Sequence, residues 1–559
     1  MPFWYAACLL LAVTAYFYAL DSLHIPKNGD EYVYAHITRL TAQSGHLLPL
    51  VSQQFEMRNT KPPLLFWQGI ASTDWGKTWT LVHLRYPSVL YTLFTALLAF
   101  LLTRKMSGSL VSAALASLIY LSFFNTYRYG RPFLTESPLM FWTFLVVFVF
   151  LYGQPATLQS PVLAPLLMGL VLGVALLYKS FVLVLPVALA LSWWYLDRRG
   201  YSISAFLKRD AWRIAFTVVV ALTLFCVWFF LDPKPMEVFQ EFVLKENVGR
   251  FDVGGPSYLH YLLRGGSSIW ALALGFFVNA GLLIFPLFAV AWLSFKRRRD
   301  LNSDQKFLWI WAISLFLIFS LPSMRSSRYL LPAMPGAAIL CALSWERVNR
   351  KVFVATLVIA GGVLALLVYL GLRLQLNLAG ASLFGFGFWA LLATTITAIL
   401  LALILPGFTR PAIPAVALLV CLCLAAAIRP LDGPLGHFSL AAQQQVVGKQ
   451  VAVPCNFRAV DEGYRFLLPG AEVHCYNDDK AVTLDALRSQ YALFAYRQPL
   501  SSAGPADLRV IGQRLELHSR HTKSELLDML RGNVFNQLFV REILVEVPVS
   551  QSAATPGNE

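Results

Sequence analysis

Long apolar runs recur along this 559-residue chain, and they constrain its fold more than any other feature. Each has about 16 to 25 residues, which is long enough for a helix to cross the hydrocarbon core of a bilayer. About thirteen such runs occur, at 3–21, 84–103, 109–124, 134–152, 162–178, 180–196, 212–231, 269–295, 306–322, 329–345, 352–372, 384–405 and 412–428. Only 13% of the residues are charged, about half of the usual share in a soluble domain. The sequence therefore predicts an all-α, polytopic membrane region.

The first run is interpreted as a retained span. It extends from Phe3 to Leu20 without a basic segment before it, and no convincing small-residue cleavage site precedes Asp21. A cleaved secretory signal would need both features.

Basic residues predict the orientation of these spans. They cluster in turns on one side of the predicted topology, at Arg104-Lys105, Arg198-Arg199, Lys208-Arg209, Lys296 to Arg299, Arg347 and Arg350-Lys351. The positive-inside rule makes that side cytoplasmic. The N-terminus is then inside, while the loops 22–83 and 232–268, the turn 128–131 and everything after residue 429 are outside. The net charge of +15 is explained by these span ends, so nucleic-acid binding is not favoured.

The composition changes after Pro430, where charged pairs and short alternating runs replace the apolar stretches. Two β-like runs, Gln450 to Val453 and Glu542 to Val547, flank a helical stretch near Ser524 to Leu530. We predict a small soluble α/β domain over 430–559 with a disordered tail from residue 550. Two of its residues, Cys455 and Cys475, are predicted to form a disulfide, because oxidation is permitted outside the cytoplasm.

The first outer loop contains a candidate amphipathic helix. Asp30 or Asn28 can cap its start, and Gly45 can end it. Its apolar stripe consists of Val33, Ile37 and Leu40. Such a helix would lie along the membrane surface. Two interpretations of the acidic pair are open: Asp30 and Glu31 either only favour the positive end of the helix dipole or take part in chemistry.

Charged residues recur at the predicted outer ends of other spans. Two prolines hold Lys61 on a stiff, extended segment, where an ammonium suits a lipid phosphate or simply anchors the chain at the interface. Glu136 lies at the outer mouth of the fourth span, where an ionisable group is costly and usually functional. Lys179 follows the fifth span, and Arg328 and Tyr329 begin the tenth. Ordinary snorkelling of helix-end side chains is the alternative.

Taken in order, these motifs resemble one family. The set is Asp30-Glu31, the Lys-Pro-Pro-Leu segment 61–64, Glu136, Lys179 and the Arg-Tyr-Leu-Leu-Pro segment 328–332. It is similar to the bacterial ArnT-like glycosyltransferases, which are aminoarabinose transferases of the protein O-mannosyltransferase superfamily. The resemblance extends through most of the membrane region and implies a GT-C fold over 1–429 followed by a periplasmic domain over 430–559.

The resemblance also implies a function. The family transfers a sugar from a polyprenyl (undecaprenyl) phosphate donor to an envelope acceptor such as lipid A, at the periplasmic face of the bacterial inner membrane. The acceptor class stays open between a glycolipid, a glycan and a protein. Carried over by motif, Asp30 and Glu136 are the catalytic candidates, and the candidate substrate-binding residues are Glu31, Tyr34, Lys61, Lys179, Arg250, Arg328 and Tyr329.

The chain departs from the family pattern at four positions. It has Val33 where Arg is typical, Thr60 where Glu is typical, Asn247 where His is common, and Glu136 where Asp is usual. These departures leave the sugar and any bound metal open. The histidines give no strong metal-ligand spacing, so the sequence does not support a metal even though the chemistry would allow one. This holds for the five histidines before residue 430, which are His24, His36, His46, His83 and His260.

The implied chemistry fits the residue types. Cations stabilise a leaving phosphate as the glycosidic bond breaks, and Asp30 could act as a base in a single inverting displacement, with Glu136 holding acceptor or sugar.

The competing function class is a transporter or lipid-linked sugar flippase. Transporters usually place charges near the membrane midplane and show internal repeats. Here the charges collect at one face, which favours the transferase.

Overall fold

The computed structural model describes residues 2–25, 29–53, 58–154, 160–251, 258–378, 383–477, 482–502, 504, 507–518 and 521–548. The predicted disordered tail and the alternative cap residue Asn28 lie outside these residues. The helices before residue 430 are α1 (Pro2–Phe17), α2 (Gly29–Gln43), α3 (Leu64–Ser72), α4 (Leu81–Ser107), α5 (Leu110–Ser122), α6 (Phe124–Tyr129), α7 (Glu136–Tyr152), α8 (Leu163–Tyr178), α9 (Val184–Arg198), α10 (Ile203–Arg209), α11 (Ala211–Leu231), α12 (Pro235–Val238), α13 (Tyr258–Leu263), α14 (Ile269–Val278), α15 (Ile284–Lys296), α16 (Ser303–Phe319), α17 (Met334–Ser344), α18 (Arg350–Asn377), α19 (Phe386–Ile404) and α20 (Pro406–Ile428). A π-helix spans Phe239–Asn247, and short 3₁₀ turns cover Phe181–Leu183, Val248–Phe251, Gly281–Leu283, Ser327–Ala333, Trp345–Arg347 and Arg429–Asp432.

Every predicted apolar run coincides with one or more of these helices, and the protein is a multi-pass membrane protein. Among the described residues, six helices are each long and apolar enough to cross a bilayer: Leu81–Ser107, Phe181–Arg198, Ala211–Leu231, Arg350–Asn377, Phe386–Ile404 and Pro406–Asp432. Shorter apolar helices cover Phe3–Phe17, Leu110–Ser122, Glu136–Tyr152 and Leu163–Tyr178. The count of about thirteen spans stays a prediction.

One predicted span is broken rather than continuous. Instead of a single helix over 269–295, α14 and the segment Gly281–Lys296 meet at an angle of 104°. At the break, Gly281 has a φ of +59°, which suits glycine, and Asn125 donates to the side-chain oxygen of Asn279 at 2.7 Å. Both asparagines are buried, and their hydrogen bond satisfies polar groups for which lipid offers no partner.

Local sequence explains how several helices begin, end and pack. The hydroxyl of Thr80 accepts a hydrogen bond from the amide of His83 to begin α4, and Gly108 ends that helix at a φ of +68°.

In α8, Gly169 and Gly173 are spaced four residues apart and lie against α11. A Cβ on Gly169 would come within 2.7 Å of the Val220 side chain in that helix. Small residues at this spacing let two membrane helices approach closely.

The chain ends in a five-stranded mixed sheet flanked by short helices. The elements are α21 (Leu440–Gln445), β1 (Gln450–Cys455), α22 (Asp461–Leu467), β2 (Glu472–Asn477), α23 (Leu484–Gln490), β3 (Leu493–Gln498), β4 (Arg509–Leu517), α24 (Lys523–Leu530), α25 (Val534–Leu538) and β5 (Phe539–Glu546). The strand order is β2-β1-β3-β5-β4, with β1 parallel to β2 and β3, and β5 antiparallel to β3 and β4. The predicted strands and helix occur here as β1, β5 and α24.

The predicted disulfide is confirmed. Cys455 at the end of β1 is bonded to Cys475 in β2, with a Cα–Cα distance of 5.5 Å that is usual for such bridges. The other cysteines, Cys8, Cys226, Cys341, Cys421 and Cys423, are free, and all except Cys226 are buried.

The C-terminal sheet region is attached to the loop helix α2. The buried carboxylate of Glu462, in α22, accepts hydrogen bonds at 3.0 Å from Arg39 and pairs with His36 at 3.0 Å. The hydroxyl of Tyr369, near the end of α18, donates to the carbonyl of Leu530 at 2.8 Å. We call this end of the membrane region, where α2 and the sheet lie, the loop end.

Candidate active site at the loop end

Asp30 lies in the first turn of α2, because the helix begins at Gly29. Its carboxylate accepts a hydrogen bond from the guanidinium of Arg328 at 2.9 Å. Arg328 belongs to the 3₁₀ turn Ser327–Ala333 that precedes α17, so residues about 300 positions apart meet here. The Asp30 side chain remains 43% exposed, which leaves it accessible to a substrate.

Glu136 is the first residue of α7, and its side chain is only 4% exposed. Lys179, which follows α8, donates to Glu136 Oε1 at 3.0 Å. The same oxygen lies 3.8 Å from the Arg328 nitrogen that binds Asp30. The Arg328 guanidinium therefore lies between Asp30 and Glu136, the two carboxylates that the sequence predicts to be catalytic.

Two tyrosines complete this group. Tyr329, next to Arg328, presents its ring to the Lys179 ammonium at 5.5 Å, a cation–π contact. Tyr34 lies one turn after Asp30 in α2 and is buried. Burial raises the pKa of Tyr34 well above its usual value, and the negative charges of Asp30 and Glu136 raise it further. Its hydroxyl therefore stays protonated at any working pH.

Lys61 forms an ion pair with Glu246, at the end of the π-helix Phe239–Asn247, and also donates to the carbonyl of Thr60 at 2.7 Å. The next residue, Asn247, accepts a hydrogen bond from the hydroxyl of Ser180 at 2.7 Å. Because Ser180 follows Lys179, this bond connects the Lys61 pair to the Glu136 pair. The structure thus brings Lys61 and Lys179 to the same end of the bundle.

Glu31 occupies a different environment from Asp30. Its two oxygens bind the Arg85 guanidinium, each at 2.7 Å, and one also accepts the amide of Phe133 at 2.8 Å. Both side chains of this pair are almost fully buried. The structure therefore separates Glu31 from the Asp30 group, even though the two acids are neighbours in sequence.

The remaining candidate, Arg250, has a side chain that lies outside the described residues. Sequence reasoning did not assign a role to Glu246, the partner of Lys61. The only available signal was its place in the Glu-Asn-Val-Gly-Arg-Phe segment at 246–251.

Metal-ligating groups come together in two places among the described residues. One set is His36, Asp461 and Glu462, and the other is His518, His521 and Glu525, each with ligand atoms within 4.8 Å of one another. In the first set, Glu462 also binds Arg39 and lies 3.4 Å from Arg465. These two guanidiniums already supply the positive charge that a metal would bring.

The site as a whole contains three carboxylates, each paired with one cation. The pairs are Asp30 with Arg328, Glu136 with Lys179 and Glu246 with Lys61. Carboxylates in such pairs keep the cations oriented without burying an uncompensated charge. An incoming phosphate can compete for the same ammonium and guanidinium groups through charge-assisted hydrogen bonds. The arrangement is suited to binding a phosphate beside a partly exposed carboxylate.

Comparison with known proteins agrees with this architecture. Residues 10–239 match the family described as dolichyl-phosphate-mannose-protein mannosyltransferase. The structure superimposes on the crystal structure of ArnT from Cupriavidus metallidurans bound to undecaprenyl phosphate with a TM-score of 0.63, at 17% identity, covering 97% of this chain and 98% of that one. The chain has the fold of ArnT. Its fold is the GT-C fold predicted from the motifs.

Several curated relatives of this chain share one name. An undecaprenyl phosphate-alpha-4-amino-4-deoxy-L-arabinose arabinosyl transferase of Proteus mirabilis is 28% identical over 345 residues, which is 60% of this chain and 58% of that protein. The corresponding transferase of Edwardsiella ictaluri is 27% identical over 393 residues, covering 65% of this chain and 66% of that protein. The match thus spans less than two thirds of the length of either relative.

Proposed function

We propose that this protein transfers a sugar from a polyprenyl-phosphate donor, such as undecaprenyl phosphate, to an acceptor of the bacterial envelope. The observation that carries the proposal is the linked group at the loop end. Arg328 binds Asp30 at 2.9 Å and lies 3.8 Å from Glu136, which in turn binds Lys179. The names of the relatives and the ArnT fold support the same reaction class.

In this proposal the donor phosphate is held by the ammonium groups of Lys61 and Lys179, with Arg250 as a further contact. The acceptor oxygen attacks the anomeric carbon while the bond from that carbon to the phosphate oxygen breaks. The leaving group is polyprenyl phosphate, whose developing charge the cations stabilise. The attack comes from the face opposite the leaving phosphate, so the anomeric configuration inverts.

The role of Asp30 depends on the acceptor. If a hydroxyl attacks, its proton passes to the partly exposed Asp30 carboxylate, which then acts as general base. If a phosphate oxygen attacks, no proton has to move, and Asp30 orients the acceptor through Arg328. Glu136 holds Lys179 in place, and the protonated Tyr34 hydroxyl is available as a donor to a sugar oxygen.

We also propose the orientation and division of the chain. The membrane region 1–429 would start in the cytoplasm of a bacterial inner membrane and carry its loops 22–83 and 232–268 on the periplasmic side. The segment 430–559 would then be periplasmic. The Cys455–Cys475 disulfide supports this placement, because such bonds persist in oxidising compartments.

The direct test supplies the purified full-length protein, in lipid nanodiscs, with undecaprenyl-phosphate-linked sugar and an envelope lipid fraction. We expect sugar-free undecaprenyl phosphate to be released only when acceptor is present. A protein that moves the intact sugar lipid across a sealed vesicle without cleaving it would be a flippase, and that result would overturn the transferase proposal.

A further inference from the structure

A group of metal-ligating side chains lies in the C-terminal sheet region, on residues that the proposed active site does not use. It consists of His518, which follows β4, His521, and Glu525 in the first turn of α24. One ligand atom from each side chain lies within 4.8 Å of the other two. Two imidazoles and one carboxylate form a ligand set that binds zinc in proteins and leaves a fourth position open. The residue types and their number therefore match a zinc site.

Backbone hydrogen bonds hold these three residues in place. The amide of His518 donates to the carbonyl of Leu538 at 2.8 Å, which keeps the end of β4 beside the start of β5. Thr522 and Glu525 form a capping box at the start of α24: the Thr522 hydroxyl accepts the Glu525 amide at 3.3 Å, and Glu525 Oε2 accepts the Thr522 amide at 2.6 Å. His521 immediately precedes this cap. The ligands are therefore carried by a hydrogen-bonded connection between a strand and a helix.

The atoms that would bind an ion are available. His521 Nδ1 is buried and has no hydrogen-bond partner among the described residues. A buried polar atom without a partner is costly, and an ion is one way to satisfy it. The capping bond uses Oε2 of Glu525, and a carboxylate offers a second oxygen. The hydrogen bond from the Thr522 amide also lowers the pKa of Glu525, so this carboxylate is ionised near neutral pH.

The three side chains need only small adjustments to surround an ion. The rings of His518 and His521 have their centroids 5.2 Å apart and are inclined at 81° to each other. An ion about 2.0 to 2.2 Å from each ligand atom would bring these atoms to about 3.4 Å from one another in a tetrahedral site. The change from the present separation is at most about 1.4 Å, which rotation about side-chain bonds can supply.

A cavity of about 640 Å³ lies beside the group. Its lining includes two of the ligands, His518 and Glu525, together with the polar residues Arg497, Asn536 and Gln537. Three protein ligands leave one position of a tetrahedral ion open, and water in this cavity can occupy it. The cavity also gives an ion a path from solvent to the ligands.

We propose that His518, His521 and Glu525 bind one zinc ion, with water from the adjacent cavity as the fourth ligand. The ion connects the end of β4 to the start of α24. At its other end, α24 is attached to the membrane helix α18, because the hydroxyl of Tyr369 donates to the carbonyl of Leu530 at 2.8 Å. Zinc therefore stabilises the part of the sheet region that contacts the membrane region. This role is independent of the proposed sugar transfer.

The test is zinc binding by the purified full-length protein in nanodiscs of zwitterionic lipid, without a polyhistidine tag and after removal of metal with a chelator. Isothermal titration calorimetry with zinc chloride measures affinity and stoichiometry, with empty nanodiscs as the blank. We expect one zinc ion per chain and a dissociation constant below about 10 μM. Cobalt(II) should give the strong visible absorption of a four-coordinate site, and zinc should abolish it. Zinc should also raise the unfolding temperature and slow amide hydrogen exchange in the first turn of α24.

Three variants control the result. The double variant His518→Gln/His521→Gln should lose about 100-fold or more in zinc affinity, and its unfolding temperature should no longer respond to zinc. Glu525→Gln should weaken binding by about 10-fold or more while keeping the helix start, because glutamine also serves in a capping box. His474→Gln changes an exposed histidine of β2 and should have no effect. If the double variant does not fold, Glu525→Gln and the cobalt spectrum of the unmodified protein still decide the question.

The alternative location for an ion is the other metal-ligating set, His36, Asp461 and Glu462. There Arg39 and Arg465 already supply positive charge to Glu462. If zinc binding persists in the double variant and is lost in His36→Gln, the ion lies in that set and the proposal is wrong. Equal affinity of the unmodified protein and the double variant, or a dissociation constant above about 10 μM, would mean adventitious binding only and would also overturn it. Undecaprenyl phosphate binding should not change in any of these variants, so a failure of this proposal is distinct from a failure of the proposed function.

Discussion

Asp30 and Glu31 are adjacent in sequence, carry the same charge and lie in the same helical turn, but they enter different regions of the molecule. The Asp30 side chain is 43% exposed and binds Arg328 at the edge of a large cavity. The Glu31 side chain is 2% exposed and is bound by Arg85 and a backbone amide. A ligand in the cavity can therefore replace Arg328 as the partner of Asp30. Removing Arg85 from Glu31 would instead leave a buried charge without a counter-charge.

This difference shows why a motif alone does not separate catalysis from structure. Neighbouring helix positions point about 100° apart, so one side chain of an acidic pair can face a cavity while the other faces the protein interior. A buried ion pair also contributes little net stability, but losing one partner is costly. Substitutions in the two regions should therefore change different measured quantities.

The largest effect is expected from Asp30→Asn. The amide keeps the size of the side chain but removes its charge and its ability to accept a proton. Turnover with a hydroxyl acceptor should fall by about 10²- to 10⁴-fold, while undecaprenyl phosphate binding persists. Steady-state kinetics and a separate binding titration measure the two. Near-normal turnover at saturating donor and acceptor would mean that Asp30 only stabilises the start of the helix. Glu136 would then be the next candidate for the catalytic carboxylate.

Glu31→Gln should act on folding. It leaves the Arg85 guanidinium buried without a counter-charge, which costs about 3–5 kcal/mol, and the apparent unfolding temperature should drop accordingly. Replacing the pair together, as Glu31→Leu/Arg85→Met, should recover much of the stability. If Glu31→Gln instead keeps its unfolding temperature and loses turnover as Asp30→Asn does, Glu31 contacts substrate, as the family resemblance implied.

Lys61→Ala should have an intermediate effect. A cation that contacts phosphate stabilises both the bound donor and the transition state. We therefore expect donor affinity to weaken by about 10- to 100-fold and turnover to fall as well. Lys77→Ala is the matched control, because Lys77 is 73% exposed and its ion-pair partner among the described residues is the exposed Asp74. Equal effects of the two substitutions would mean that Lys61 is only an interfacial anchor.

The smallest effect is the pH dependence of stability that Glu462 contributes between pH 7 and 5; this residue joins the sheet region to α2. Burial alone would raise the pKa of this carboxyl, but the hydrogen bonds from His36 and Arg39 and the charges of Arg39 and Arg465 lower it to about 2. A lowered pKa stabilises the fold above the unfolded value of about 4.3, and this contribution is lost as pH falls toward 2.

The unfolding temperature should therefore change little through Glu462 between pH 7 and 5 and fall below pH 4. In Glu462→Gln the group no longer titrates, so the protein should be less stable at pH 7 and lose less on acidification. Differential scanning fluorimetry across this range measures both. If the unfolding temperature of the variant falls more steeply on acidification than that of the unmodified protein, Glu462 does not have the lowered pKa described above.

Much of the fold was predictable from local pattern. Apolar runs of membrane-spanning length define helices whatever their neighbours are, and period-two alternation marked β1 and β5. The broken span at Asn279–Gly281 was not predictable, because its polar groups are satisfied by Asn125 from a different helix. Glu246 likewise gained its role only through Lys61, a residue distant in the chain.

The sequence by itself determined that this chain is a multi-pass membrane protein with a C-terminal α/β region, and its ordered motifs indicated the ArnT-like family. Hydrophobicity and residue order carry that information along the chain. Only the tertiary structure decided that Arg328 links Asp30 to Glu136 and that Glu31 is buried against Arg85. These facts depend on which side chains share a small, partly dehydrated volume, and such long-range proximity leaves no pattern in a single sequence.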